Sequence, residues 1–223
     1  MLWAAGAACK PGEVAAVWWQ PTGRVNTMLR TAIALMMTAM AGHALAAIDA
    51  PSGAYGLDRT HAYITFTYSH LGFSNPHVSF NDFSVDLQLD ANDPSKSKVE
   101  VVIQAASVDS RVDEFDEHLV GERFFDVANH PTITFKSTSV EMTSDATATI
   151  TGDLTIKGVT KPVVLEATLN KAAMHPMLKA PTLGVSAVAQ LRRTDWDLGY
   201  AVPMVSDDVQ LYLTVELPQK KGE

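Results

Sequence analysis

Between Asp126 and Val164 apolar and polar residues alternate with a period of two, and no other feature of the chain constrains its fold as strongly. Ile133 and Phe135 fall on one side, while Thr132, Thr134 and Lys136 fall on the other. Ile150, Leu154 and Ile156 repeat the pattern against Thr149, Thr151, Asp153 and Thr155. Successive side chains of a strand point to opposite faces, so these segments read as strands with one apolar and one wet face. Such strands must close their apolar faces on one another or around something else. What fills the interior therefore becomes the question of function.

Eight segments carry a strand pattern: Ala62–Tyr68, Val78–Leu89, Lys98–Ile103, Thr132–Met142, Thr147–Ile156, Pro162–Lys171, Leu183–Arg192 and Val209–Glu216. Turn chemistry separates them, as at Asn92-Asp93-Pro94, Ser144-Asp145 and Lys157-Gly158. One stretch differs. Ser110 to Asp113 reads as a capping box, and Val112, Phe115 and Leu119 follow at helical spacing, which predicts a short helix leading into Phe124-Phe125-Asp126. The expectation is an all-β fold, an eight-stranded antiparallel barrel with a short helix covering one end. Eight strands enclose an interior that side chains just fill or that holds one slender ligand.

The beginning of the chain reads differently. Residues 1–27 have no strand or helix period and hold Cys9, Trp18 and Trp19. From Met28 the sequence has Arg30, the apolar run Ala32–Ala41 and the small-x-small pattern Ala44-Leu45-Ala46. That run is shorter than the roughly 20 residues a membrane span needs, and the arrangement predicts a secretory signal peptide over 28–46, cleaved near Ala46. On this reading residues 1–27 are an over-long start, 47–223 are the mature domain, and the protein is periplasmic. Cys9 as a lipid-attachment residue is disfavoured because no basic start precedes it.

Removing residues 1–46 from 223 leaves 177, the size of one domain. Losing Lys10, Arg24, Arg30 and Glu13 takes 17 basic and 25 acidic residues to 14 and 24, a formal net charge of −10. Such an acidic chain argues against nucleic acid and anionic membrane surfaces as partners. Losing Cys9 leaves no cysteine, which removes disulfides, thiolate metal sites and cysteine nucleophiles together. Beyond the proposed leader, histidines occur at 61, 70, 77, 118, 130 and 175, with no HxH or HxxxH pair on one element, so no metal site is expected. There is no nucleophile elbow and no phosphate-binding glycine loop. Paired acids such as Asp113 and Asp116 read as solvated surface, and Asp195 beside Arg192 and Arg193 as a rim ion pair.

Strand alternation turns Phe66, Tyr68, Phe80, Phe83, Val85, Leu87, Phe135, Leu154, Ile156 and Leu191 inward, and Phe115, Phe124 and Phe125 reach the same interior from the helix. Taken singly, each reads more readily as ordinary core, because aromatics on the inner face of a strand usually are.

A set of short motifs occurs in order: His61 to His70 (HAYITFTYSH), Ala106-Ser107-Val108-Asp109, Asp116-x-His118-Leu119, Phe124-Phe125-Asp126, His130-Pro131-x-Ile133-x-Phe135-x-Ser137, and Gly152-x-Leu154-Thr155-Ile156-x-Gly158-Val159-Thr160-x-Pro162. Together they resemble the YceI-like family of exported proteins, over about Tyr55 to Leu217. The sequence departs from the family's habit at Asn75-Pro76-His77 and at Asp197, where glycines are usual. The resemblance implies a lipocalin-like barrel, no enzymatic activity, and a long isoprenoid, quinone-like or fatty chain held inside, with no other cofactor. The expected ligand site then comprises the wall residues Phe66, Phe80, Phe83, Phe115, Phe124, Phe125, Phe135, Ile156 and Leu191, with Tyr68, His70, Arg193 and Trp196 framing the polar end. The expected partner is a long-chain amphiphile, without stable membrane insertion; pairing into a homodimer stays open. Two other classes remain open beside it: a lipocalin-shaped enzyme acting on a hydrophobic substrate, and a stress-related partner protein with a filled core.

Overall fold

The computed structural model describes residues 48–221, so the proposed leader and its cleavage site lie outside the described residues. Eleven antiparallel strands form a single sheet: β1 (Gly53–Gly56), β2 (Tyr63–His70), β3 (His77–Phe80), β4 (Phe83–Leu89), β5 (Lys98–Gln104), β6 (Val108–Asp109), β7 (Thr132–Met142), β8 (Thr147–Ile156), β9 (Val159–Met174), β10 (Pro181–Arg192) and β11 (Val205–Pro218). Among the described residues the one α-helix, α1 (Asp113–Val120), stands between β6 and β7.

Nine of the eleven strands overlap the eight expected segments, of which Val78–Leu89 divides into two, while β1 and β6 lie outside all of them. The segment Val78–Leu89 bends at Asn81-Asp82, so that β3 pairs with β2 while β4 pairs with β1 and β5. Its neighbour bends alongside it, and β6 continues the pairing of β5 by joining β3 at Phe80↔Val108. In the same way β1 and β2 are halves of one strand interrupted by the 3-10 turn Arg59–His61, where the Asp58 side chain caps the Thr60 amide. The sheet curls back on itself: β11 pairs with both β10 and β2, and Tyr55 of β1 bridges Gln219 just beyond β11.

Local chemistry explains the connections. Lys157 and Gly158 both take positive φ, 48° and 74°, which is the left-handed two-residue loop that matches strand twist in a tight hairpin. A register shift between Ser137 and Ser139 inverts the alternation along β7, so Ile133, Phe135 and Val140 are all buried although Val140 breaks the parity of the first two. The helix forms where expected, but the capping box does not. Val112 occupies the N-cap without a side-chain bond, and the Asp116 carboxylate instead accepts from the Ser110 amide at 2.7 Å. Arg111, at φ 66°, turns the chain between Ser110 and the helix and moves the cap two residues on.

The interior has two unlike halves. Towards the end that holds the β1 pairing, Tyr55, Val85, Leu87, Leu165, Leu183 and Leu217 pack as a filled core. Tyr55 is fully buried there and its hydroxyl donates to the Pro51 carbonyl at 2.7 Å. Towards the end where β2 finishes and β11 begins, under α1, the interior is open.

Candidate ligand-binding cavity

The open half is a cavity of about 630 Å³, within the usual range for a small-molecule site. Alternation along β2 delivers Ile64, Phe66, Tyr68 and His70 to it, and β3 adds Val78 and Phe80. Leu191 enters from β10, Val209 and Leu211 from β11, Ile133 from β7, and Leu154 and Ile156 from β8. The lid comes from α1. Phe115 and Leu119 lie one helical turn apart and face the same way, and the chain then folds back as the Phe125 amide donates to the Leu119 carbonyl at 3.0 Å. That turn presents Phe124 and Phe125 downwards.

The rings form a connected wall. Phe80 and Phe125 meet edge-to-face with centroids 5.4 Å apart, Phe66 lies 5.8 Å from Phe80 and 6.4 Å from Phe125, and Tyr68 continues the row 6.5 Å from Phe66. On the lid side Phe124 contacts both Phe115 and Tyr200, at 6.4 and 5.6 Å, and Arg123 sits over the Tyr200 ring. Edge-to-face and tilted pairs of this kind fix ring orientation as well as adding contact area.

Arg193 is the charged group of the site. It opens the 3-10 turn Arg193–Trp196 after β10, and its guanidinium donates to the carbonyls of Ser206 (2.7 Å), Tyr200 (2.8 Å), Val205 (3.0 Å) and Leu198. Those four bonds gather the loop between β10 and β11 around one side chain. Burial pulls the Arg193 pKa down, while Asp207 and Tyr68 act to restore it. Burial likewise pushes the Tyr68 hydroxyl above its ordinary value, with Arg193 opposing. Trp196 is buried, and its indole N–H donates to the Leu154 carbonyl at 3.2 Å. It therefore acts as wall and tie, with its one donor occupied. The rim ion pair joins Arg192 to Asp207 at 3.2 Å rather than to Asp195, because Asp207 is also held by the Thr194 amide and hydroxyl across the turn.

Of the residues expected to bind ligand, Phe66, Tyr68, His70, Phe80, Phe115, Phe124, Phe125, Ile156, Leu191, Arg193 and Trp196 all line this cavity. Phe83 and Phe135 do not. The Asn81-Asp82 bend puts Phe83 into the packed half, where it borders a separate hollow of about 210 Å³. Phe135 is buried with its ring laid against Gly152 on the neighbouring strand. Tyr200, Leu198, Val205 and Pro76 complete the cavity from loops or strand ends, where no periodicity marks them in the sequence.

Barrel, packed floor and lidded apolar hollow together define a lipocalin-like antiparallel barrel protein. The chain belongs to the YceI-like family, whose domain matches residues 55–217. It is 38% identical over 191 residues to the UPF0312 protein of Ectopseudomonas mendocina (strain ymp), covering 85% of this chain and 98% of that one. The Campylobacter jejuni YceI protein is similar in structure with a TM-score of 0.62 and 30% identity, over 69% of this chain and 90% of its own. A polyisoprenoid binding domain from Saccharophagus degradans, implicated in plant cell wall breakdown, superimposes with a TM-score of 0.60 over 76% of this chain and 100% of its own. At 11% identity that last likeness is one of fold alone.

Proposed function

We propose that this protein is a periplasmic carrier that sequesters an isoprenoid-like long-chain amphiphile inside its barrel, without catalysing its conversion. One observation carries the reading: a cavity of about 630 Å³ walled by connected aromatic and aliphatic side chains, beside a half of the barrel where Tyr55, Leu87, Leu183 and Leu217 pack together. A filled core would use the same residue types, but it would leave no such hollow. The polyisoprenoid binding domain of Saccharophagus degradans, built on the same fold, supports the ligand class. Binding energy would come from the chain of the ligand. At about 0.8 kcal/mol per buried methylene, a dozen methylene-sized groups supply roughly 10 kcal/mol before ordering costs. The leader pattern at 28–46 supports the periplasmic location. No helix among the described residues is long and apolar enough to cross a membrane.

The test is mass spectrometry of an organic extract from protein purified gently from the periplasm of its own host. A stoichiometric polyprenyl or quinone-like species is the expected result. An empty extract, from protein that also takes up no such lipid in vitro, would overturn the proposal.

A further inference from the structure

Large apolar side chains are exposed at both ends of the barrel, and one group of them surrounds the mouth of the cavity. Of the residues that line the cavity, His70, Val112 and Tyr200 are exposed, and they mark its opening. Beside them stand Leu71, Phe73 and Met204, which lie outside the cavity wall and, like Val112 and Tyr200, are at least half exposed. Phe73 is 90% exposed. Single apolar residues scattered over a surface need no explanation, but five around one opening do.

The backbone fixes this rim. Leu71 and Gly72 both take positive φ, 54° and 75°, while the Phe73 amide donates to the His70 carbonyl at 3.0 Å and the His70 amide to the Ser74 carbonyl at 2.9 Å. That tight turn presents Phe73 to solvent. The Leu71 amide donates to the Met204 carbonyl at 3.0 Å and so joins the β2–β3 loop to the β10–β11 loop. In a chain with 17 basic and 25 acidic residues, neither 69–76 nor 198–206 holds a single Asp, Glu, Lys or Arg. Elsewhere the lid is clasped shut, because Lys157 donates to the Glu122 and Asp197 carbonyls at 3.2 and 3.3 Å and ties the end of the lid to the turn after β10. The opening of the cavity and the uncharged loops therefore coincide.

We propose that this rim docks reversibly on the surface of a neutral lipid bilayer, so that ligand passes between membrane and cavity without crossing water; the purpose of the contact rests on the carrier reading above. Val112 and Tyr200 belong to both the cavity wall and the rim, so apolar surface continues from the interior to the outside. A long chain entering by any other path would expose its methylenes to water on the way. The residue types suit lipid. Leu71, Phe73 and Met204 project from loops where acyl chains can cover them, and Tyr200, an apolar ring with a polar tip, suits the headgroup level. The formal charge of −8, and the exposed acids Asp113, Glu114 and Glu117 that follow Val112 and outnumber Arg111 and Arg123, favour neutral over anionic lipid.

The experiment is co-sedimentation of the protein, recovered from its own host, with phosphatidylcholine vesicles, comparing the parent with Phe73→Ser and with Met177→Ser, which removes an exposed apolar side chain from the β9–β10 connection at the opposite end of the barrel. Expected are binding by the parent, a loss of at least about tenfold in Phe73→Ser, as for one inserted aromatic side chain, and no change in Met177→Ser. Phe73→Ser should melt with the parent, since its side chain is exposed, and should take up farnesol from aqueous solution as the parent does, since Phe73 lies outside the cavity wall. Failure to bind the neutral vesicles overturns the proposal, even if vesicles containing phosphatidylglycerol are bound. Binding that Phe73→Ser retains, or that both variants lose equally, also overturns it, as does a dimer that Phe73→Ser dissolves while vesicles stay unbound, which gives the rim to a second copy. Docking and carriage fail separately: uptake of farnesol without vesicle binding overturns the docking alone, and vesicle binding without uptake of any isoprenoid overturns the carrier reading alone.

Discussion

Gly152 to Ala adds a single methyl group at a site where the structure has no room for it. A Cβ at this position would stand 2.4 Å from Phe135 Cζ, 2.6 Å from Phe135 Cε2 and 2.6 Å from the Lys136 carbonyl oxygen. Ordinary contact begins near 3.4 Å, so the ring must retreat by about 1 Å. Phe135 is only 6% exposed, with Val101 and Leu154 as its cross-strand partners, so moving its ring displaces packed neighbours. Overpacking of this kind costs about 1–3 kcal/mol, and the carbonyl contact puts Gly152→Ala towards the upper end. Reduced freedom of the unfolded chain returns about 0.4–1 kcal/mol, leaving a net loss of about 2 kcal/mol. For a domain of this size that is a fall of roughly 4–8 °C in melting temperature, read by circular dichroism. A variant that melts within about 1 °C of the parent would refute the packing account. Phe135→Leu refines the test by removing the two ring atoms that collide. In that background Gly152→Ala should cost about 1 kcal/mol less, with the Lys136 carbonyl responsible for the remainder. Equal cost in both backgrounds would show that the ring is not what excludes a side chain at 152.

Arg193→Lys retains charge but loses the fork that gathers four carbonyls, and is predicted to destabilise the protein by about 2–4 kcal/mol in urea melts and to speed release of bound lipid. Asp207 is subject to burial that would raise its pKa, yet hydrogen bonds from Thr194 and Arg192 prevail and hold it below its ordinary 3.8. Its contribution is therefore complete above that value and lost as pH falls below it; Asp207→Asn should weaken stability at neutral pH and flatten the acid limb of the stability curve below about pH 4. For ligands differing only in chain length, affinity should rise about tenfold for every two methylenes until the cavity is full, because each contributes about 0.8 kcal/mol. A flat series in a fluorescence displacement assay would place the binding energy in the head group.

The strands were legible because a half-buried strand writes its two faces directly into the sequence, and β7, β8, β10 and β11 lie close to where alternation puts them. What alternation does not carry is a bend. Asn81-Asp82 is a turn-forming pair inside an apolar pattern that continues on both sides, and alternation read straight through it misses that Phe83 is redirected from one half of the barrel to the other. Ring direction is equally silent: Phe135 shares a face with Ile133, but the vacancy over Gly152 draws its ring away from the cavity. Tyr200, Leu198 and Pro76 were illegible for a different reason, since loops have no period.

The distribution of polar groups around the cavity bears on selectivity. Arg193 is the cationic side chain among the lining residues, and four of its five N–H groups already serve backbone carbonyls of the loop it organises. Trp196 has spent its single donor on Leu154. An anionic head group would therefore meet a positive charge but little hydrogen-bonding capacity, and it would lose strong hydration to reach that place. A neutral or weakly polar head, near Tyr68 and His70 at the end of β2, loses far less. On the proposed carrier reading the site would select by chain and shape, while Arg193, through its four bonds to loop carbonyls, holds the mouth of the cavity together.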